Sequence, residues 1–181
     1  MAFSVSTFRS QLSGDGARPN LFEVTLVFPS FATGYANAGQ KITFMAKSAQ
    51  LPGSTIGVVP TYYFGRELKF AGNRTFADWT IQIINDEDFA IRNAFESWMN
   101  AINTHQGNLR SGAAPTPTSY STDATVSQYG KQGNTIKNYS FTGMFPIDVA
   151  PIDLDWGSND TIEEFSVTFA YQYWQSTGTT S

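Results

Sequence analysis

The 181-residue chain contains no cysteine. That one absence excludes a disulfide framework, a thiol nucleophile and a thiolate metal site. It contains one histidine, His105, so a histidine-based triad or metal centre would have to be built on that single ring. Charge is scarce: 14% of residues are Asp, Glu, Lys or Arg, against about 25% in an ordinary domain. What charge there is leans acidic, with 15 Asp and Glu against 11 Lys and Arg. Nonspecific nucleic-acid binding needs a basic footprint and is disfavoured by that balance. No stretch approaches the roughly 18 apolar residues of a membrane span. The start, MAFSVSTFRSQL, has no charged segment leading into an apolar one, so no signal peptide and a cytosol-like compartment are expected.

Apolar residues are plentiful, at 41%, and aromatics reach 15%, with 15 Phe. This length and composition suit one well-filled core. A single domain is expected over residues 1–175, with 1–20 as an N-terminal arm broken by Gly14, Gly16 and Pro19. Residues 176–181 are expected to form a flexible tail. With so few charges, much of the surface must be Ser, Thr, Asn, Gln and apolar groups, which suits lasting contact with neighbours.

Alternation marks most of the elements. Phe22, Val24, Leu26 and Phe28 share one face of a half-buried strand. Ile42, Phe44 and Ala46 predict another over Lys41–Lys47. Leu51-Pro52-Gly53 signals a turn, and Ile56–Phe64 is β-branched and aromatic but interrupted by Pro60, which predicts an edge or a projecting hairpin arm. Arg66–Ala71 follows Gly65. In Arg74–Ile84, Trp79, Ile81 and Ile83 oppose Phe76, Thr80 and Gln82. The period then changes: Ile91, Phe95, Trp98 and Ile102 make one helical stripe, with Asp88, Arg92 and Glu96 on another face. Residues 107–122 are low in complexity and predict a loop. Thr122–Tyr129 and Thr135–Phe145 predict a hairpin, and Thr161–Trp174 a long final strand with Phe165, Val167, Phe169, Tyr171 and Tyr173 on one face. The whole is a mainly β chain, an antiparallel β-sandwich or barrel with one flanking α-helix.

Three carboxylates in a row, Asp86, Glu87 and Asp88, raise the prospect of a catalytic or metal cluster. A helix start explains them without a substrate: Asn85 or Asp86 serves as N-cap and the acids occupy the positive end of the helix dipole. Asp153, Asp155 and Glu164 fall at positions 1, 3 and 12 of a calcium loop, but positions 5 and 6 are Gly157 and Ser158, so the sharp turn is misplaced. His105 stands at a helix end, where it can serve the last carbonyls. GNLRSG has the wrong length for a P-loop and lacks its Lys-Ser/Thr pair. No catalytic, cofactor-binding or metal residues are assigned, no cofactor is expected, and the chain is not expected to be an enzyme.

Several pieces, in order, resemble the tail tube proteins of contractile-tailed bacteriophages: SGDGARPNLFEV, AKSAQLPGS, AGNRTFADWTIQIINDED, and LDWGSND with EEFSVTFAYQYW. They span about Gly14 to Trp174. The most specific is the Gly–basic–Thr-Phe–acidic–Trp strand running into an Asn-Asp-Glu helix start. The Ala-Pro-Thr-Pro loop of 107–122 departs from the family pattern, and the Phe31–Gln40 loop looks expanded.

The resemblance implies a subunit of hexameric rings that stack into a hollow tube inside a contractile sheath. The chain's main partner is then itself, with the sheath protein outside. Baseplate and tail-terminator proteins stand at the ends, and a tape-measure protein fills the lumen until DNA passes through without specific binding. No membrane anchor is implied. The place is the virion, after assembly in the host cytoplasm. The alternative is the inner tube of a type VI-like secretion or extracellular contractile injection system carrying effectors. Inter-ring contact is expected at Leu51, Pro52 and Gly53, then at Val58, Val59, Pro60, Tyr62, Tyr63 and Phe64, unless this segment is a packed edge loop of its own subunit. The polar face of the last strand (Glu164, Ser166, Thr168 and Gln172) is expected to face the lumen, unless it is ordinary solvent-exposed sheet.

Overall fold

The structure, a computed structural model, describes residues 4–13, 16–35 and 37–179. Gly14 of the arm and the last two residues of the tail lie outside that set. In chain order the elements are helix α1 (Val5–Gln11), strand β1 (Phe22–Leu26), a 3-10 turn (Ser30–Tyr35), helix α2 (Ala38–Met45) and strand β2 (Ala46–Ala49). Strands β3 (Thr55–Tyr63), β4 (Arg66–Thr75) and β5 (Trp79–Ile84) follow, then helix α3 (Ala90–Ile102) and a single helical turn α4 (Pro117–Tyr120). The chain closes with β6 (Thr122–Tyr129), β7 (Thr135–Val149), β8 (Glu164–Ala170) and β9 (Tyr173–Ser176).

Seven strands form one antiparallel sheet in the order β1-β6-β7-β8-β5-β2, with β9 also on β7. Strand β7, 15 residues long, serves both halves. Tyr139–Thr142 lies between β6 and β9, and from Phe145 onward β7 pairs with β8 instead. Gly143 stands at the changeover with φ +65°, its N–H bonded to Asp123 Oδ1 at 3.0 Å. A Cβ there would lie 2.9 Å from Gln172 Cγ. Only glycine meets both the left-handed backbone and the close approach.

The sheet's inward residues meet α3 in an aromatic core. Trp79 stacks on Phe141 at 4.5 Å between ring centroids, and Phe95 of α3 meets Phe169 at 5.6 Å and Phe28 at 5.0 Å. Trp79, Ile81 and Ile83 are buried as the alternation predicts, and so are Ile91, Phe95 and Trp98 of the helical stripe. The segment 107–122 is not a free loop: Ala114 is buried, and Trp98 Nε1 donates to Tyr120 O at 2.6 Å.

Three local expectations are corrected. Lys41–Lys47 is mostly helix α2, with Ala38 and Ile42, one turn apart, buried and Phe44 84% exposed. An alternation over five positions fits either period, and the i, i+4 pair decided it. The last strand breaks after Ala170 and resumes as β9, because Gln172 N donates to Thr142 O beside the Gly143 kink. The arm carries α1, whose Ser4 Oγ accepts from Thr7 N at 3.3 Å.

The acids 86–88 also miss the first turn of α3. The helix begins at Ala90, after Phe89 at φ +52°. Asp88 Oδ1 accepts from Ala90 N at 3.0 Å, so one acid still serves the helix start. Asp86 and Asp88 both close on the Lys41 ammonium of α2, Asp86 at 2.7 Å. Asn85 is buried and turned toward Glu163, donating from Nδ2 to Oε2 at 2.9 Å. The chain therefore spends Asp86 and Asp88 on a clamp to α2. A macrodipole carries about half a charge, and a full ammonium within hydrogen-bond reach is the stronger partner.

The Lys41 hydrogen bond and then the Ala90 N–H hold the Asp88 carboxyl below its ordinary 3.8. Hydrogen bonds to Asp86 and then Asp88 hold Lys41 above 10.5. A depressed carboxylate contributes stability that is present above its unfolded pKa and is lost as pH falls through the folded one. Replacing Asp88→Asn should lower stability at neutral pH and flatten its fall below about pH 4. Urea midpoints across the acid range check this, and an unchanged acid limb refutes the clamp.

Candidate assembly surface

Strands β3 and β4 pair only with each other and leave the body as a hairpin. Nine residues at about 3.3 Å each give an arm roughly 30 Å long. Along β3 every residue is exposed, and along β4 every residue but Gly72. The register puts Val59 opposite Phe70, Thr61 opposite Leu68 and Tyr63 opposite Arg66 on one face. The other face pairs Val58 with Ala71, Pro60 with Lys69 and Tyr62 with Glu67. Both faces carry apolar groups into solvent. A lone two-stranded hairpin is marginally stable in water at best, and exposed apolar surface of this kind marks an interface.

The tip turns on Phe64 and Gly65, at φ +46° and +79°. Positive φ at both central residues is the mark of a type I′ turn, which favours Asn or Asp at the first position. A phenylalanine there is strained, and strain of this kind points to a function outside the fold. Phe64 is 92% exposed, its ring edge-on to Tyr63 at 4.6 Å. The root is pinned by indoles of the body: Trp79 Nε1 donates to Gln50 O at 2.7 Å and Trp174 Nε1 to Gly53 O at 3.0 Å. Arg74 Nη1 donates to Ser54 Oγ at 3.1 Å.

Of the residues expected at an inter-ring contact, Leu51, Pro52 and Gly53 form the lead-in to the root. Val58, Val59, Pro60, Tyr62, Tyr63 and Phe64 form β3 and the tip. Missed were Leu68 and Phe70 of β4, though their alternation with Glu67 and Lys69 was visible. The hairpin bears three cations, Arg66, Lys69 and Arg74, against one acid, Glu67.

On the body, Ser166 and Thr168 of β8 lie in register with Gln82 and Thr80 of β5, and the Thr80 and Thr168 hydroxyls are 3.0 Å apart. Glu164 joins this face but is paired with Lys47 at 2.6 Å. Gln172 stands apart, beyond the end of β8 and over Gly143. The face is thus hydroxyl- and amide-rich, with its acid end neutralised locally.

Asp153, Asp155 and Glu164 line one open hollow, but among the described residues no three His, Asp or Glu side chains gather as a metal would require. Asp155 instead closes its own turn, accepting from Gly157 N at 3.0 Å. The His105 ring nitrogen lies 3.0 Å from Asn100 Oδ1, on the side chain of the preceding helix.

A family model described as phage tail tube protein matches residues 17–177. The tail tube protein gp19 of Enterobacteria phage T4 is 37% identical over 164 residues, covering 90% of this chain and 93% of that protein. The tail tube protein of Serratia phage KSP90 is 28% identical over 170 residues, covering 93% and 94%. Among solved structures, a chain in the sheath-tube complex of an extracellular contractile injection system in its extended state superposes with a TM-score of 0.58. It is 15% identical, with 97% of this chain and 98% of that chain covered, a likeness of fold.

Replacing Trp174→Phe removes one indole donor at the hairpin root, a loss of about 1 kcal/mol. Amides of β3 and β4 should then exchange roughly fivefold faster while those around Ile81 and Phe95 keep their protection. Uniform acceleration would mean that the indole supports the body rather than the root.

Proposed function

Because the chain belongs to the phage tail tube protein family and is a structural subunit of such a tube, we propose that six copies close into a ring and that the rings stack into a hollow conduit for the genome. The observation that carries this reading is the β3–β4 hairpin. It is long, bare on both faces, pinned only at its root, and tipped by a strained aromatic. No described residue of the subunit covers it, so a neighbouring ring is the surface it fits.

The conduit lies inside a contractile sheath, with baseplate and terminator proteins at its ends and a tape-measure protein filling it before the genome. The similar solved chain stands in a sheath–tube complex, which supports a sheath as outer partner here. The place is the virion, after assembly in the host cytoplasm. The subunit's work is structural and asks no catalysis of any residue. An effector-carrying injection system is the competing assignment, and the 37% identity to a phage protein favours the phage tail.

Ser166 and Thr168, with Thr80 and Gln82 beside them, form a wall suited to passing DNA: hydroxyls and amides present no cation to phosphate. Glu164 contributes little repulsion there because Lys47 already neutralises it. The polar face of β8 therefore serves by lacking positive charge rather than by repelling.

Two experiments test the reading. Phe64→Asn relieves the left-handed strain at the tip, so the subunit should melt no lower than the parent chain while tubes seen by electron microscopy become sparse or absent. Normal tubes would remove the tip from the inter-ring contact. Virions carrying Ser166→Lys and Thr168→Lys should eject DNA more slowly, and increasingly so as salt is lowered. Ejection at the parent rate at every ionic strength places this face away from the lumen.

A further inference from the structure

The hairpin has a counterpart at the other end of the molecule. Between β7 and β8 runs the segment 151–163, in which Leu154 and Ile162 are largely exposed and Trp156 is 101% exposed. Such an indole is not the tip of a loose loop. Arg92 Nη1 donates to Ala150 O at 3.1 Å, and Ala150 N to Ser166 O at 2.9 Å. Asn85 holds the far end through Glu163, its N–H to the Glu163 carbonyl at 2.8 Å and its amide to the carboxylate at 2.9 Å. Inside the segment, Ser158 N donates to Asp155 O and Asn159 N to Gly157 O. The backbone is turned and anchored, and the apolar groups point outward from it.

The surroundings are acidic. From Asn138 to the end of the chain there is no Lys or Arg, and six acids stand there, Asp148, Asp153, Asp155, Asp160, Glu163 and Glu164, of which, among the described residues, Glu164 alone is paired with a cation, Lys47. The hairpin is the opposite, with exposed aromatics beside Arg66 and Lys69. Two surfaces of one chain thus match in chemistry, apolar groups rimmed by acids against apolar groups rimmed by cations.

They do not meet within the subunit, where Trp156 and the hairpin are both exposed. Strands β5 and β8 are antiparallel, with Trp79 opposite Phe169 at one end and Ile84 opposite Glu164 at the other. The hairpin enters β5 at the Trp79 end, and the acidic loop enters β8 at the Glu164 end. About 17–20 Å of six-residue ladder separates the two points of departure. Patches at opposite poles satisfy each other only between copies set in the same direction, a heterologous contact that repeats without closing.

We propose that the 151–163 loop of one subunit docks on the β3–β4 hairpin of a second copy in the next ring, Trp156 packing among Tyr63, Phe64, Leu68 and Phe70 on the face that also carries Thr61, and Asp153 and Asp155 facing Arg66 on that same face. This rests on the reading of the hairpin as an inter-ring arm and names the surface that receives it. A buried tryptophan is the kind of anchor that dominates an interface, and the charges around it set direction and register.

The absence of cysteine makes the contact directly measurable. Two proteins are made, one carrying Ser158→Cys and the other Thr61→Cys, mixed, allowed to polymerise and oxidised. A disulfide between the two in polymer, absent from unpolymerised protein, is the expected result. In parallel, Trp156→Ala should leave the melting temperature of the subunit unchanged and raise the critical concentration for tubes by about tenfold or more. The reversal Asp155→Lys should do likewise, and adding Arg66→Glu should restore assembly. Tubes with no such cross-link and with Trp156→Ala assembling like the parent would overturn this docking while leaving the tube reading intact. A parent chain that forms no polymer at any concentration would overturn the tube reading itself.

Discussion

Strand β7 shares hydrogen bonds with three other strands, and the kink at Gly143 makes this possible. Before the kink its partners are β6 and β9; beyond it, β8. The aromatic core fills the space between the two halves so joined, with Phe141 of β7 against Trp79 of β5 and Tyr171. Helix α3 covers that space with Phe95 and Trp98, and α2 reaches α3 through Lys41 and the two aspartates before it. The break after β8 belongs to the same device, since Gln172 lies over Gly143 and bonds to Thr142. A body so connected offers fixed points at its ends, and both projecting features grow from them.

The two projections differ in how they are held. The 151–163 loop is bound at both ends by side chains of α3 and its approach, so its shape is set by the body. The hairpin is bound at its root alone and carries its own ladder outward. In the isolated subunit it has a bare edge along each strand, which other chains can pair with or stick to. In the proposed tube, assembly supplies the surface it lacks, and a low-charge chain gains solubility by being covered rather than by repulsion.

Much of this was legible in the sequence where the physics is periodic. Alternation located β5 and the inward set Phe165, Val167 and Phe169, and the helical stripe located Ile91, Phe95 and Trp98. Pro60 in a β-branched run marked a strand without neighbours on both sides, which is what β3 is. Legibility failed where a short pattern fits two periods, as in α2, and where a partner distant in sequence decides the outcome. The acids 86–88 look like the first turn of a helix, but Lys41, 45 residues earlier than Asp86, claims two of them. The long final strand looked continuous because the cause of its break, Gly143, lies in another strand. The acidic loop escaped for a different reason. Judged as a calcium loop it failed and dropped from view, and its exposed tryptophan carries no signal until burial is known.

The antiparallel ladder of β5 and β8 gives the subunit two unlike poles, a basic aromatic arm at one and an acidic indole loop at the other. Copies joined through such poles make a filament that is the same at every joint and different at its two ends. One end always presents arms and the other always presents loops. A protein that starts the filament and a protein that stops it then need no knowledge of its length. Each has only to mimic the single pole that the tube leaves open on its side.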